Sequence, residues 1–197
     1  MRIIGGERRG RRLVEWDDSA IRPMRDFVRT ALFNILCDFV PDAAFLDLFC
    51  GTGSVGLEAL SRGARSCTFV DRSPDACGIV RRNLDLLDFL PRGEVIRGDA
   101  FGTLETLRQV GRRFDLVFVG PPYYKELVPR ALEALGDGAL LGSDPVVVAE
   151  IHSTESIAEA VGELSLVDRR RYGDNQLWLY RTAGGSDDAA AGGGDES

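Results

Sequence analysis

Asp47-Leu48-Phe49-Cys50-Gly51-Thr52-Gly53-Ser54-Val55-Gly56 joins a short apolar run, residues 44–48, to a stretch with helical spacing. Gly51 to Gly56 fits GxGxxG. Glycines there let the backbone turn tightly and approach a ligand without a Cβ clash. Strand, glycine-rich turn and helix in that order mark a nucleoside-cofactor loop. Asp71 closes the next apolar run twenty residues after Gly51. An acid at that place accepts two hydrogen bonds from ribose hydroxyls. Asp99 follows a third run in Arg97-Gly98-Asp99-Ala100-Phe101, where a carboxylate can accept from an adenine amino group.

The acid inside the first motif separates two cofactor classes. Asp47 puts a carboxylate close to the loop, where it would repel the pyrophosphate of a dinucleotide. The same charge favours the ammonium and sulfonium of S-adenosylmethionine. An NAD-type oxidoreductase is the competing class, and equilibrium binding separates the two. Each Asp alone reads equally as a cap or turn residue. Three acids at three consecutive strand ends read as one site.

Working outward, residues 2–14 predict a hairpin with its turn at Gly5-Gly6. Phe27, Val28, Ala31, Leu32, Ile35, Leu36 and Phe39 recur at helical spacing, giving a helix over 26–39. Further helices are predicted from about Ser54 to Arg62, after the Ser73 cap with Pro74 in the first turn, over 102–110 and over 124–135. Strands fall at 44–48, 67–70, 94–97, 115–119 and 145–150, with a closing antiparallel pair at 164–169 and 177–181. Strands alternating with helices give an α/β fold, a mostly parallel sheet covered on both faces. Ligands in such sheets bind beyond the carboxyl ends of the strands.

The fourth strand ends in Val119-Gly120-Pro121-Pro122-Tyr123. Two prolines cannot continue a central ladder, so the chain leaves the sheet and exposes carbonyl oxygens. Those carbonyls suit an exocyclic NH2, turning its lone pair toward a methyl group. Tyr123 offers a face for stacking a base, worth roughly 1–3 kcal/mol. Gly120, Pro121, Pro122 and Tyr123 are therefore the candidate catalytic segment. No strong base is required, because the amine becomes acidic only after gaining the methyl. Proximity and in-line geometry can supply roughly 7–11 kcal/mol.

With 197 residues, the chain has the length of one domain, commonly ~100–200 residues. Its formal charge is −7. The last fifteen residues, 183–197, hold four acids and no base, and read as a disordered acidic tail; without them the charge is −3. Basic residues cluster at Arg2, Arg8, Arg9, Arg11, Arg12 and Arg22, with Arg25 and Arg29 following and Arg169–Arg171 forming a second group. Guanidinium matches phosphate geometry, so the first cluster is a candidate RNA contact. The absence of a ~20-residue apolar run argues against a membrane span, and no signal segment follows Met1, so a cytoplasmic protein is expected. Cys37, Cys50, Cys67 and Cys77 form no CxxC pair and are expected as reduced thiols. His152 is the only histidine, which argues against a multi-histidine metal centre and a Ser-His-Asp hydrolase.

These motifs resemble the class I S-adenosylmethionine-dependent methyltransferases, in the branch with an Asn/Asp-Pro-Pro-Tyr signature. MRIIGG, Gly10-Arg11, Arg22-Pro23, Asp26, Val28-Arg29, Leu32-Phe33-Asn34, residues 56–64 and Arg171-Tyr172-Gly173-Asp174 look like the RsmD family. The similarity runs from about residue 1 to 181. It implies a Rossmann-like, seven-stranded sheet with an N-terminal extension (1–25), a catalytic domain (26–182) and the tail outside. It implies methylation of the N2 amine of a guanine in small-subunit (16S) ribosomal RNA, with the assembling small subunit as partner and S-adenosyl-L-methionine as cofactor. Asp47, Phe49, Gly51, Gly53, Asp71, Asp99 and Ala100 are the cofactor residues so implied; a metal is not, and a monomer is expected.

Two positions depart from the family pattern. Gly120 stands where the signature has Asn or Asp, so a side-chain acceptor for the target amine is missing. At the usual ~0.5–1.5 kcal/mol net per hydrogen bond, that loss is about tenfold or less, and activity is expected to be reduced or differently tuned. Thr30 stands where the family has Glu. Rival readings are methylation of a DNA base amine or protein amide, and a cofactor-binding but non-catalytic ribosome assembly factor.

Overall fold

Every residue of strand β1 (Ala44–Leu48) is buried, because sheet neighbours flank it on both edges and helices cover both faces. In the computed structural model, which describes residues 1–14 and 24–183, helix α1 (Asp26–Ile35) precedes it. After it come α2 (Ser54–Ser61), β2 (Ser66–Asp71), α3 (Pro74–Leu86), β3 (Gly93–Arg97), α4 (Ala100–Gln109) and β4 (Phe114–Val119). The chain ends with α5 (Leu127–Leu135), β5 (Leu141–His152), β6 (Ala160–Val161), β7 (Leu164–Tyr172) and β8 (Asn175–Thr182).

These strands form one sheet in the order β3-β2-β1-β4-β5-β8-β7-β6. The first five are parallel; β8, β7 and β6 add antiparallel. Seven strands match the expectation, and the eighth is the two-residue edge strand β6. Strand order reverses between β1 and β4, which opens a crevice beyond their carboxyl ends. One face packs Leu32, Leu57, Val80 and Leu84 from α1, α2 and α3. The other packs Leu104, Leu107, Leu132 and Leu135 from α4 and α5.

Several boundaries differ from the sequence reading. Helix α1 stops at Ile35 rather than 39; the chain goes on through turns over 36–39, where the Phe39 and Val40 amides both bond back to the Leu36 carbonyl. Helix α5 begins at Leu127 rather than 124: Tyr124 and Glu126 take left-handed φ values of 60° and 51° after the two prolines. Strand β5 starts earlier than 145, with an irregular register around Pro145, which cannot donate to the ladder.

The N-terminal hairpin is looser than expected. Its ladder is reduced to an isolated Arg2–Arg12 bridge, and the chain reverses over residues 4–9, a wider turn of which Gly5-Gly6 is the first part. Those glycines press against the end of α2; a Cβ on Gly6 would lie 1.8 Å from the Ser61 carbonyl oxygen. Glu58, fully buried on α2, accepts hydrogen bonds from the Ile4 and Gly5 amides (2.8 and 2.7 Å) and from Arg62 Nε. Buried Arg29 donates from Nη2 to the Arg2 carbonyl, and Ile3 and Leu13 enter the core. Thr30 caps back onto the Asp26 carbonyl oxygen (2.8 Å). Cys50, Cys67 and Cys77 are buried free thiols and Cys37 is exposed. No helix among the described residues is long and apolar enough to cross a membrane.

Candidate active site

The loop after β1 is built by alternating left-handed residues: Phe49 (φ 64°), Gly51 (51°) and Gly53 (74°). Gly56 lets α2 lie close on the sheet, since a Cβ there would meet Phe69 Cε1 at 2.4 Å. Two of the three predicted acids hold this loop. Asp71 Oδ2 accepts from the Gly51 amide (2.9 Å) and its Oδ1 from the Ser73 amide (2.8 Å), tying the loops after β1 and β2 together. Asp47, 1% exposed, accepts from the Gly56 amide at 2.9 Å. The otherwise orphaned first-turn N–H of α2 is thus met by a carboxylate. That leaves the helix N-terminus unsuited to a pyrophosphate.

Burial pushes the Asp47 carboxyl up to about 8, reinforced by Asp71 and opposed by the Gly56 hydrogen bond. The stability contributed by its neutral form is full below the unfolded carboxylate range and is lost as pH rises through about 8. Asp47→Asn keeps an oxygen for Gly56 and cannot ionise. Its melting temperature should exceed the wild type's at about pH 9 and converge with it below about pH 5, read by a thermal-shift series.

Asp99, the third acid, spends Oδ2 on the N-terminus of α4, accepting from Phe101 (3.1 Å) and Gly102 (3.0 Å). Its cap role is therefore real, and Oδ1 is the atom left for a ligand. Ala100 is buried behind it. Phe49 and Phe101 meet edge to face at 6.3 Å, and the Arg130 guanidinium sits 4.0 Å above Phe101. Three acids, of which buried Asp47 braces the loop, and two rings at adjoining strand ends fit an adenosyl group.

Beyond β4, the Gly120 amide makes one long contact to the Leu48 carbonyl (3.4 Å), and the chain leaves the sheet through buried Pro121 and exposed Pro122. The Tyr123 hydroxyl donates to Glu150 Oε1 (3.0 Å) and accepts from Asn175 Nδ2 (2.6 Å); Asn175 Nδ2 also donates to Glu150 Oε1. Burial, then the Glu150 charge, pushes the phenol well above its ordinary range, so Tyr123 stays protonated. Burial also raises the Glu150 carboxyl, against the Asn175 and Tyr123 hydrogen bonds. The Tyr123 ring packs on His152 (5.6 Å) and Tyr124 (6.3 Å). Tyr124 is 64% exposed. Pro121, Tyr123, Tyr124, Leu127, Ile151 and Ile157 bound a pocket of about 150 Å³ beside this motif.

The sequence reading missed Glu150, Asn175 and Tyr124 as part of this site, and set His152 aside as a failed hydrolytic base. Glu150 carried one signal: an acid at the end of an otherwise apolar strand. Asn175 carried none, since only the pairing of β8 with β5 brings it there.

Gly120 has a physical reason. A Cβ there would lie 2.5 Å from Cε1 of buried Phe118. Gly120→Asn should therefore cost about 1–3 kcal/mol of stability by overpacking. The drop in melting temperature should be largely relieved by adding Phe118→Leu.

The arginine cluster divides. Arg8 donates to the Leu87 carbonyl, pairs with Asp88 and lies over Phe89. It fastens the N-terminal loop at the sheet end remote from the cofactor loop. Arg11 reaches the Leu86 carbonyl at 3.4 Å. Arg2, Arg9 and Arg12 are exposed. Arg22 lies outside the described residues.

The family described as Conserved hypothetical protein 95 matches residues 1–181. The chain is 33% identical over 190 residues to Ribosomal RNA small subunit methyltransferase D of Escherichia coli (strain K12), covering 96% of this chain and 94% of that one. It is also 33% identical over 184 residues to YlbH of Bacillus subtilis, named as a candidate rRNA methyltransferase, covering 93% of this chain and 100% of the other. Among solved structures, yhhF from Escherichia coli, titled as a candidate methyltransferase, superposes with a TM-score of 0.82 at 32% identity, over 93% of this chain and 98% of that one.

Proposed function

The chain belongs to the RsmD family, described as Conserved hypothetical protein 95, and on that premise we propose that it transfers a methyl group from S-adenosylmethionine to the exocyclic N2 amine of a guanine in small-subunit ribosomal RNA. The observation that carries this is a carboxylate-lined cofactor loop whose helix N-terminus Asp47 already occupies, next to a Pro-Pro-Tyr exit from the sheet. Bound there, S-adenosylmethionine supplies an electrophilic methyl on a cationic sulfur.

The chain's residues have separate tasks. Asp71 holds the ribose hydroxyls while bracing the Gly51 turn. Asp47 sets that turn from beneath through the Gly56 amide. Phe49 and Phe101 border the adenine, with Ala100 and Asp99 Oδ1 at its edge, and Gly53 leaves room for the backbone. Carbonyl oxygens of the Gly120–Pro122 segment accept from the target amine, and Tyr123 stacks on the base. Exposed Arg2, Arg9 and Arg12 contact RNA phosphate, which suits guanidinium. The protein works as a cytoplasmic monomer on the assembling small subunit, without a metal.

Mass-spectrometric mapping of methylated guanines, after incubating unmodified small-subunit particles with labelled cofactor, tests the proposal. One new N2-methylguanine is expected. Bound cofactor with no transfer would favour the non-catalytic assembly factor, and label on another base or on protein would reassign the substrate.

A further inference from the structure

Gly120 leaves the reacting amine without a side-chain acceptor on β4, and the neighbouring strand carries one. β4 and β5 run parallel with Val119 opposite Ala149. The next residue on each is Gly120 and Glu150. Paired residues on adjacent strands send side chains to the same face. On this face Phe118 and Val148, two residues back, pack into one cluster. The side-chain space at 120 is taken by the Phe118 ring. Glu150 is 8% exposed, and its Oε1 is held by Tyr123 and Asn175. Oε2 accepts no hydrogen bond from any described residue, and it is not sealed from solvent.

We propose that Glu150 Oε2 accepts the N–H of the target amine, supplying from β5 the acceptor that Gly120 lacks; this rests on the guanine-amine reading above. Two donors on Oε1 fix the carboxylate plane, so the remaining lone pairs face outward. During transfer the nitrogen lone pair forms the N–C bond, and the pair of the broken S–C bond stays on sulfur. The surplus N–H proton passes to Oε2 and then to water. Glu150 is thus a catalytic residue touching substrate, and the Tyr123–Asn175 pair positions it.

Glu150→Gln isolates the claim. Its Oε1 keeps both donors, because a flipped amide would set NH2 against them. Only Oε2 changes, from an acceptor to a donor facing the amine. The probe is an RNA hairpin carrying the mapped guanine, beside the same hairpin with inosine, which lacks the N2 amine. Wild type should bind the guanine form about tenfold tighter. Glu150→Gln should lose most of that preference, keeping only what the Gly120–Pro122 carbonyls supply, with unchanged melting temperature and S-adenosylhomocysteine affinity, and turn over at least about thirtyfold more slowly.

A guanine preference as large in Glu150→Gln as in wild type overturns the proposal, as does turnover close to wild type. Should the variant fold poorly, a wild type that methylates guanine yet does not discriminate against inosine overturns it equally. A wild type that methylates no guanine overturns the reading of the site instead.

Discussion

Asp71→Ala lowers affinity for S-adenosylhomocysteine by roughly 10²- to 10⁴-fold in an isothermal titration. The carboxylate would make two hydrogen bonds to ribose hydroxyls, each worth about 1.5–3 kcal/mol when one partner is charged, and every 1.4 kcal/mol is tenfold in affinity. It also ties the Gly51 and Ser73 amides, so its removal loosens both cofactor loops. Asp71→Asn retains one acceptor and should fall between wild type and Ala. An unchanged dissociation constant for Asp71→Ala would move the cofactor elsewhere on the protein.

Tyr123→Ala produces the second large effect, and in a different quantity. Lost stacking removes roughly 1–3 kcal/mol of base contact. The hydroxyl that holds Glu150 Oε1 goes with it. Turnover should fall roughly 10²- to 10³-fold while cofactor affinity stays within about twofold, because the ring stands on the target side of the crevice. Tyr123→Phe separates the two contributions: stacking survives and the grip on Glu150 does not. Equal losses in turnover and cofactor affinity would contradict this assignment.

The class I methyltransferase fold was legible because its signals are local. Buried parallel strands are continuous apolar runs, as residues 116–119 and 146–149 show, and Gly51 to Gly56 marks the first crossover. Asp47, Asp71 and Asp99 were legible as strand-end acids, though their hydrogen bonds were not. Asp47 and Asp71 brace loop amides and Asp99 caps a helix, roles that depend on distances of about 3 Å. The Tyr123–Glu150–Asn175 cluster was illegible because it joins three segments through register. Only antiparallel insertion of β8 beside β5 sets Asn175 opposite His152 and within reach of Glu150. The intramolecular contacts of the N-terminal arginines were illegible for a similar reason. Glu58, inside a helix that reads as apolar, anchors the loop so that Arg8 faces α3.

Cysteine placement has a practical consequence. Three thiols are buried, and burial pushes those of Cys50, Cys67 and Cys77 above their ordinary range, so little thiolate forms on them. Cys37, on the turn after α1, is the one left accessible. A maleimide fluorophore should therefore attach there alone, without mutagenesis, and report ribosomal particle capture as an anisotropy change.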